Sequence, residues 1–272
     1  MSRSIRFSLN RISAPRVSFP AYLALCKRLG IDSIEIRNDL PGIEMQDGTP
    51  AASIKMAAAA AGITIRSINA LYPFDLFTPE LETKACEMAT YAAQCGAEAL
   101  VLCPFNSTDD QRSAAERHAD LVKSLQGLRP ILEENGLLGL IEPLGFQECS
   151  LRRKSDAVKA IYDAGCERAY RLVHDTFHHH LSGEDIFYPD LTGLVHISGV
   201  EDAALVDEQM RDEHRVLVGE GDRLGNIRQL KVLLDRGYQG VVSFEPFAAE
   251  VMDAQDSESI LRTSMDFIRA RV

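Results

Sequence analysis

No run in this chain stays apolar for the roughly 18 residues that a membrane-spanning helix needs, and residues 1 to 6 lack the apolar centre of a secretion signal. Basic residues are few: 29 Lys and Arg stand against 40 Asp and Glu, a formal charge of -11. Nucleic-acid binders use a basic face to displace counterions, so this balance argues against that class of partner. The six cysteines (Cys26, Cys86, Cys95, Cys103, Cys149 and Cys166) contain no C-x-x-C pair and fall short of a disulfide framework. They read as small core residues in a reducing compartment. No glycine-rich phosphate turn follows the first strand-like run, which excludes the dinucleotide fingerprint. What remains is a cytoplasmic protein, with no membrane or nucleic-acid partner, that handles a small molecule.

What is present is a regular alternation. Residues 5–9, 31–36, 63–68 and 99–102 read as strands, and each leads into an amphipathic pattern. Ser18-Phe-Pro20 opens the first helix and Gly30 stops it; Thr49 and Pro50 suit the N-cap and first position of the second, with Gly62 at its end. Thr78-Pro79 opens the third, and Thr108 with Gln111 could box the fourth. Further strand-like runs around 137–141, 173, 194–195 and 241–244 continue the repeat, with helices expected around 157–162, 227–234 and 260–268. The sixth unit shows only an irregular segment, 178–189. Eight β-runs in 272 residues, with no linker or low-complexity tract, predict one (β/α)₈ TIM-barrel domain over residues 1–272 rather than an open doubly wound sheet. Any homo-oligomer is left open.

Four successive strand-like runs end in a metal-ligating residue: Glu142, Asp175, His196 and Glu245. Strand ends of a barrel converge on one mouth, so these four can meet at a point. Three carboxylates and one imidazole without a thiolate suit a divalent ion such as Mn²⁺, Co²⁺, Mg²⁺ or Zn²⁺ rather than a closed structural zinc site. Pro143 and Pro246 hold the glutamates before them extended and end the ladder. His174 points to the opposite face from Asp175 by strand alternation. Of the run His178-His179-His180, His178 is best placed to turn back over the site, with the others solvated or capping the loop. Arg215 lies in a long polar loop after the seventh strand, and its donors suit substrate oxygens.

Assembled, the stretches 141–144 (Ile-Glu-Pro-Leu), 175–178 (Asp-Thr-Phe-His), 195–198 (Val-His-Ile-Ser) and 244–246 (Phe-Glu-Pro) resemble the xylose isomerase-like TIM-barrel superfamily over nearly the whole chain. That resemblance implies Glu142, Asp175, His196 and Glu245 as metal ligands, His178 as a substrate-side histidine, and Glu148 as a second glutamate near the substrate. The segment from Asp212 through His214 and Arg215 to Gly221 is similar to inosose isomerase-like members. Asp212 and His214 also resemble the Asp-x-His pair of endonuclease IV, but Asn69 and Cys103 stand where that enzyme carries zinc-binding histidines.

The expected activity is a metal-dependent isomerisation of a keto-inositol or related keto-polyol through an enediolate, with Glu142 and Glu245 exchanging protons and Mn²⁺ favoured over Zn²⁺, Co²⁺ or Mg²⁺. Alternatives on the same scaffold are a ketose 3-epimerase and a 3-dehydroshikimate dehydratase. From another class comes a non-catalytic barrel that binds a polyol or a partner protein.

Overall fold

Buried strands in a parallel sheet must present apolar side chains on the face that packs against helices, and alternation sends every second residue to the barrel interior. The computed structural model describes residues 5–272 and shows this pattern closed on itself. Strands β1 (Phe7–Asn10), β2 (Ser33–Arg37), β3 (Thr64–Leu71), β4 (Ala99–Leu102), β5 (Leu138–Ile141), β6 (Tyr170–Asp175), β7 (Thr192–Ile197) and β8 (Val242–Phe244) form one parallel barrel in sequence order. Closure comes from β1 beside β8, with Phe7 opposite Val242 and Leu9 opposite Phe244. Outside lie α1 (Phe19–Leu29), α2 (Ala51–Ala61), α3 (Pro79–Cys95), α4 (Ala114–Glu134), α5 (Lys154–Ala164), α6 (Thr176–Ser182), α7 (Asn226–Asp235), α8 (Ala249–Met252) and α9 (Ser257–Arg269). Among the described residues no helix is long and apolar enough to cross a membrane.

The outward set of strand residues, including Ile34, Ile36, Ile141, Leu172, Val195 and Phe244, joins Tyr22, Met88, Leu125 and Leu230 of the helices in the main core. The inward set is split. Ala99, Val101, Leu140, Val173, Leu194 and Val241 form a separate apolar cluster. On the side formed by β8 and β1–β3 the interior is polar instead: Ser8 donates to the Ser33 carbonyl, and Ser67, Asn69 and Ser243 donate to Glu35. A barrel interior that is half polar just beneath its mouth supplies fixed hydrogen-bond partners to whatever charge sits above it.

Helix ends follow the local chemistry, with three departures from the sequence reading. Gly30 and Gly62 do stop α1 and α2 in the left-handed conformation at φ 72° and 69°. Helix α2 starts one residue later than expected, with Pro50 itself at the cap. The capping box of α4 is Ser113 with Glu116, not Thr108 with Gln111. Asp110 accounts for that shift: its carboxylate accepts from both the backbone and the guanidinium of Arg112, which fixes this stretch as a turn. Unit six is not irregular throughout, because Asp175 accepts from the His178 N–H and thereby caps the seven-residue helix α6. His174 lies on the outward face, fully buried, between Lys154 (2.8 Å from Nδ1) and Gln229 (2.9 Å from Nε2).

Candidate active site

The chain delivers its carboxylates by ending strands late. The Glu142 N–H still donates to the Leu102 carbonyl of β4, and the Glu245 N–H to the Ile197 carbonyl of β7. The prolines that follow have no N–H to continue the ladder, so each glutamate stays on the interior parity at the mouth. Asp175 and His196 are paired across β6 and β7, and His196 is level with Ser243 of β8. As a result, ligand atoms of Glu142, Asp175, His196 and Glu245 all lie within 4.8 Å of one another, and all four residues are buried.

His196 is the hub. Its Nδ1 lies 2.9 Å from Glu142 Oε1, 3.2 Å from Glu245 Oε2 and 4.0 Å from Asp175 Oδ2. Its Nε2 faces the other way, 3.1 Å from both oxygens of Glu35. Burial alone would disfavour the imidazolium, but Glu245, Glu35 and Glu142 together hold its pKa well above the ordinary histidine value. Glu35 answers in kind: burial pushes its carboxyl up, while the charge and hydrogen bond of His196 and the Ser243 hydroxyl bring the net shift below the usual carboxylate range.

The two glutamates differ sharply in their surroundings. Glu245 Oε1 accepts from Arg37 (2.9 Å) and Asn10 (3.1 Å), and Oε2 from Arg215 (3.1 Å). Burial opposes its ionisation, but His196, Arg215 and Arg37 outweigh burial and lower its pKa strongly. Among the described residues the Glu142 carboxylate has hydrogen-bond contacts with His196 and with the Cys103 thiol, whose Sγ is 3.4 Å from Oε2. Phe247 lies beneath both guanidinium groups, 5.2 Å from Arg37 and 4.8 Å from Arg215, so one ring orients the two cations that grip Glu245.

Four buried carboxylates (Glu35, Glu142, Asp175 and Glu245) face two guanidiniums (Arg37 and Arg215), each also paired with a half-exposed carboxylate, Asp39 or Asp212, so the site carries an excess of negative charge when His196 is neutral. A divalent cation would offset that excess, and three carboxylates with one imidazole are a donor set such an ion accepts. Glu35 on the far imidazole nitrogen is the outer partner that histidine ligands usually have. The residues therefore fit a divalent ion.

The other candidates separate. His178 is buried with its ring edge-on to Phe146 and Phe177, and its Nδ1 has no partner. His179 is not solvated as expected; it packs against His174 and Phe187, while His180 pairs with Asp207. Glu148 is half-buried in the turn before Cys149. Among the described residues, Asp212 and His214 are not part of any group of three or more ligating side chains. Asp212 bonds Arg215 Nη1, and His214 Nδ1 accepts from the Arg211 N–H of its own turn. Arg215 is fully buried rather than loop-exposed, and its Nη2 is 2.5 Å from Asp175 Oδ2.

That position changes what a substitution at Arg215 should do. Arg215→Ala leaves Asp175 and Glu245 short of a counter-charge, and breaking a buried pair typically costs about 3–5 kcal/mol. The expected result is a lowered melting temperature in chelator that added Mn²⁺ partly restores. Unchanged melting in chelator would remove Arg215 from the charge balance.

Three residues escaped the sequence reading: Glu35, Arg37 and Asn10. A signal was available for the first two, since Glu35 and Arg37 alternate with Ile34 and Ile36. Charged residues on the strict interior parity of a buried strand need partners there.

A cavity of about 640 Å³ opens beside the cluster, with Arg37 and Cys103 in its wall. An eight-stranded parallel barrel that gathers three carboxylates and an imidazole at the carboxyl ends of its last four strands, next to such a cavity, defines a class of small-molecule sites. The chain belongs to the xylose isomerase-like TIM barrel family, whose profile matches residues 23–271. It is 27% identical over 255 residues to an inosose isomerase of Halalkalibacterium halodurans, covering 90% of this chain and 88% of that one. A xylose isomerase domain-containing protein from Salmonella typhimurium superimposes with TM-score 0.91 at 33% identity, over 98% of each chain. The IOLI protein, crystallised with a zinc atom bound, gives TM-score 0.84 at 22% identity over 98% of this chain and 99% of that one; at that identity the likeness speaks for the fold alone.

Proposed function

We propose that this protein is a divalent-metal-dependent isomerase or epimerase of keto-polyols, with a keto-inositol as the first substrate to test. The observation that carries the reading is the buried cluster of Glu142, Asp175, His196 and Glu245 beside a substrate-sized cavity. The kinship with an inosose isomerase supports the choice of substrate. A bound ion would polarise a carbonyl and so acidify the adjacent C–H.

The protein's own residues divide the remaining work. Glu142, hydrogen-bonded to a thiol and one imidazole and to no guanidinium among the described residues, is the carboxylate free to accept that proton. Glu245, gripped on both oxygens by Arg37, Asn10 and Arg215, is held in place and ionised, and delivers a proton to the product carbon only when those contacts loosen and it first takes one up from solvent. His178, Glu148 and Arg215 are the proposed substrate-side groups. Of these, Arg215 would act by way of Asp175 and Glu245, since both of those carboxylates lie between it and the cluster centre.

The test is an assay of chelator-stripped and Mn²⁺-, Co²⁺- or Zn²⁺-loaded protein against inososes, ketoses and 3-dehydroshikimate in deuterated solvent. Turnover of an inosose or ketose only in the loaded protein, with deuterium at the carbon beside the carbonyl, is the expected result. Loss of water from dehydroshikimate would reassign the reaction, and equal binding of polyol with no turnover in any form would leave a binding barrel.

A further inference from the structure

The cavity beside the cluster has more room than one reacting ring needs, and its character differs from the cluster's. Its inner wall is Arg37 and Cys103, the groups that touch Glu245 and Glu142. From there it runs outward between the loop after β2 and helix α3. Met45 and Met88 give it apolar sides, and Tyr72, 40% exposed, presents a large aromatic surface at its rim. Lys84 donates to the Tyr72 carbonyl at 2.9 Å, tying α3 to the turn after β3 that carries this ring.

Charge in the cavity cancels. Arg37 is met by a bidentate Asp39, and Lys84 stands one helical turn from Glu87 on the same wall. A chamber with no net charge, apolar sides and an exposed aromatic at its edge does not select phosphate or carboxylate. It suits a hydroxylated ring, whose C–H face packs on an aromatic while its rim of hydroxyls meets the amine and carboxylate above.

We infer that this cavity is a second-ring subsite: the substrate's reacting ring lies over the cluster, and a sugar joined to it through a glycosidic bond lies along Tyr72 between α3 and the loop after β2. The inference rests on the isomerase reading for where the reacting ring sits. Subsite occupancy itself is a binding property that can be read without turnover.

The probes are myo-inositol and galactosyl-myo-inositol, titrated calorimetrically into Mn²⁺-loaded protein. The disaccharide is expected to bind about two- to tenfold tighter, the scale of one additional aromatic ring contact. Tyr72→Ala should erase most of that advantage and leave the affinity for free inositol unchanged, while Tyr72→Phe keeps it. The chain has no tryptophan, so Gln46→Trp, on the loop lining the cavity, places a single emitter there without touching the core. Its emission should shift with the disaccharide and not with inositol. Equal affinity for the two probes, no binding of either, or an undiminished advantage in Tyr72→Ala would overturn the subsite. Tighter disaccharide binding together with no turnover of any keto-polyol would instead sink the isomerase reading and leave the subsite standing.

Discussion

Glu142→Gln should lower turnover by at least about 100-fold while the ion stays bound, because the amide keeps an oxygen for the metal and removes the proton acceptor. The environment makes this position the cleaner of the two. Glu142 accepts from one thiol and one imidazole, so little else is disturbed by the change. Glu245→Gln is expected to behave differently. Both of its oxygens hold guanidiniums, and an amide leaves Arg37 and Arg215 facing a neutral group in a buried setting. That variant should lose ion affinity and thermal stability along with turnover. Exchange of the substrate C–H with deuterated solvent separates the roles: Glu245→Gln that still exchanges but forms no product identifies Glu142 as the first base. Near-normal turnover in metal-loaded Glu142→Gln would rule out a glutamate base at this position.

The second large effect should come from a residue that never touches the ion. Glu35 accepts from His196, Ser67, Asn69 and Ser243, so every neighbour of its carboxylate is a donor. Glu35→Gln turns one of those acceptors into an N–H aimed at another donor, and frees His196 to rotate or to change tautomer. The expected loss is about 10–100-fold in metal affinity, the usual consequence of removing such an outer partner, measured by titration of Mn²⁺ or Zn²⁺ into stripped protein. In the metal-free protein His196 is held as an imidazolium, and an arriving ion has to displace the proton on Nδ1. Affinity should therefore rise with pH in the parent protein. Parent-like affinity in Glu35→Gln would show that the imidazole is oriented by something else.

The barrel was legible because its signals are local and repeated: a β-run, a turn, an amphipathic stretch and a stop at Gly30 or Gly62. The four strand-end residues were legible for the same reason, as Pro143 and Pro246 punctuate the runs that carry two of them. Helix α6 was hidden, since seven residues containing three histidines show no apolar period and its cap is Asp175 itself. Asp110 likewise displaced the start of α4 through a pair with Arg112 that spacing does not announce. Glu35 and Asn10 were missed for a deeper cause. Their partners, His196 and Glu245, are 161 and 235 residues away, and only closure of the sheet brings them together.

That separation bears on how the protein comes to be able to work at all. Asn10 lies on the first strand, Glu35 and Arg37 on the second, and Glu245 follows the last, so the four strand-end residues gather on β5–β8 while their outer partners reach them only when the sheet closes. Contacts of such long range form late, after most of the loop-closure entropy has been overcome. A chain still emerging from synthesis, with residue 245 not yet released, holds His196 without its Glu245 contact and Arg37 without its main buried acid. Fixing the orientation of His196 and Glu245 is then coupled to the final docking of β8 against β1. A ligand that recognises only the closed form favours it by mass action, so if the proposed ion binds there, supplying it during synthesis should raise the yield of finished barrel.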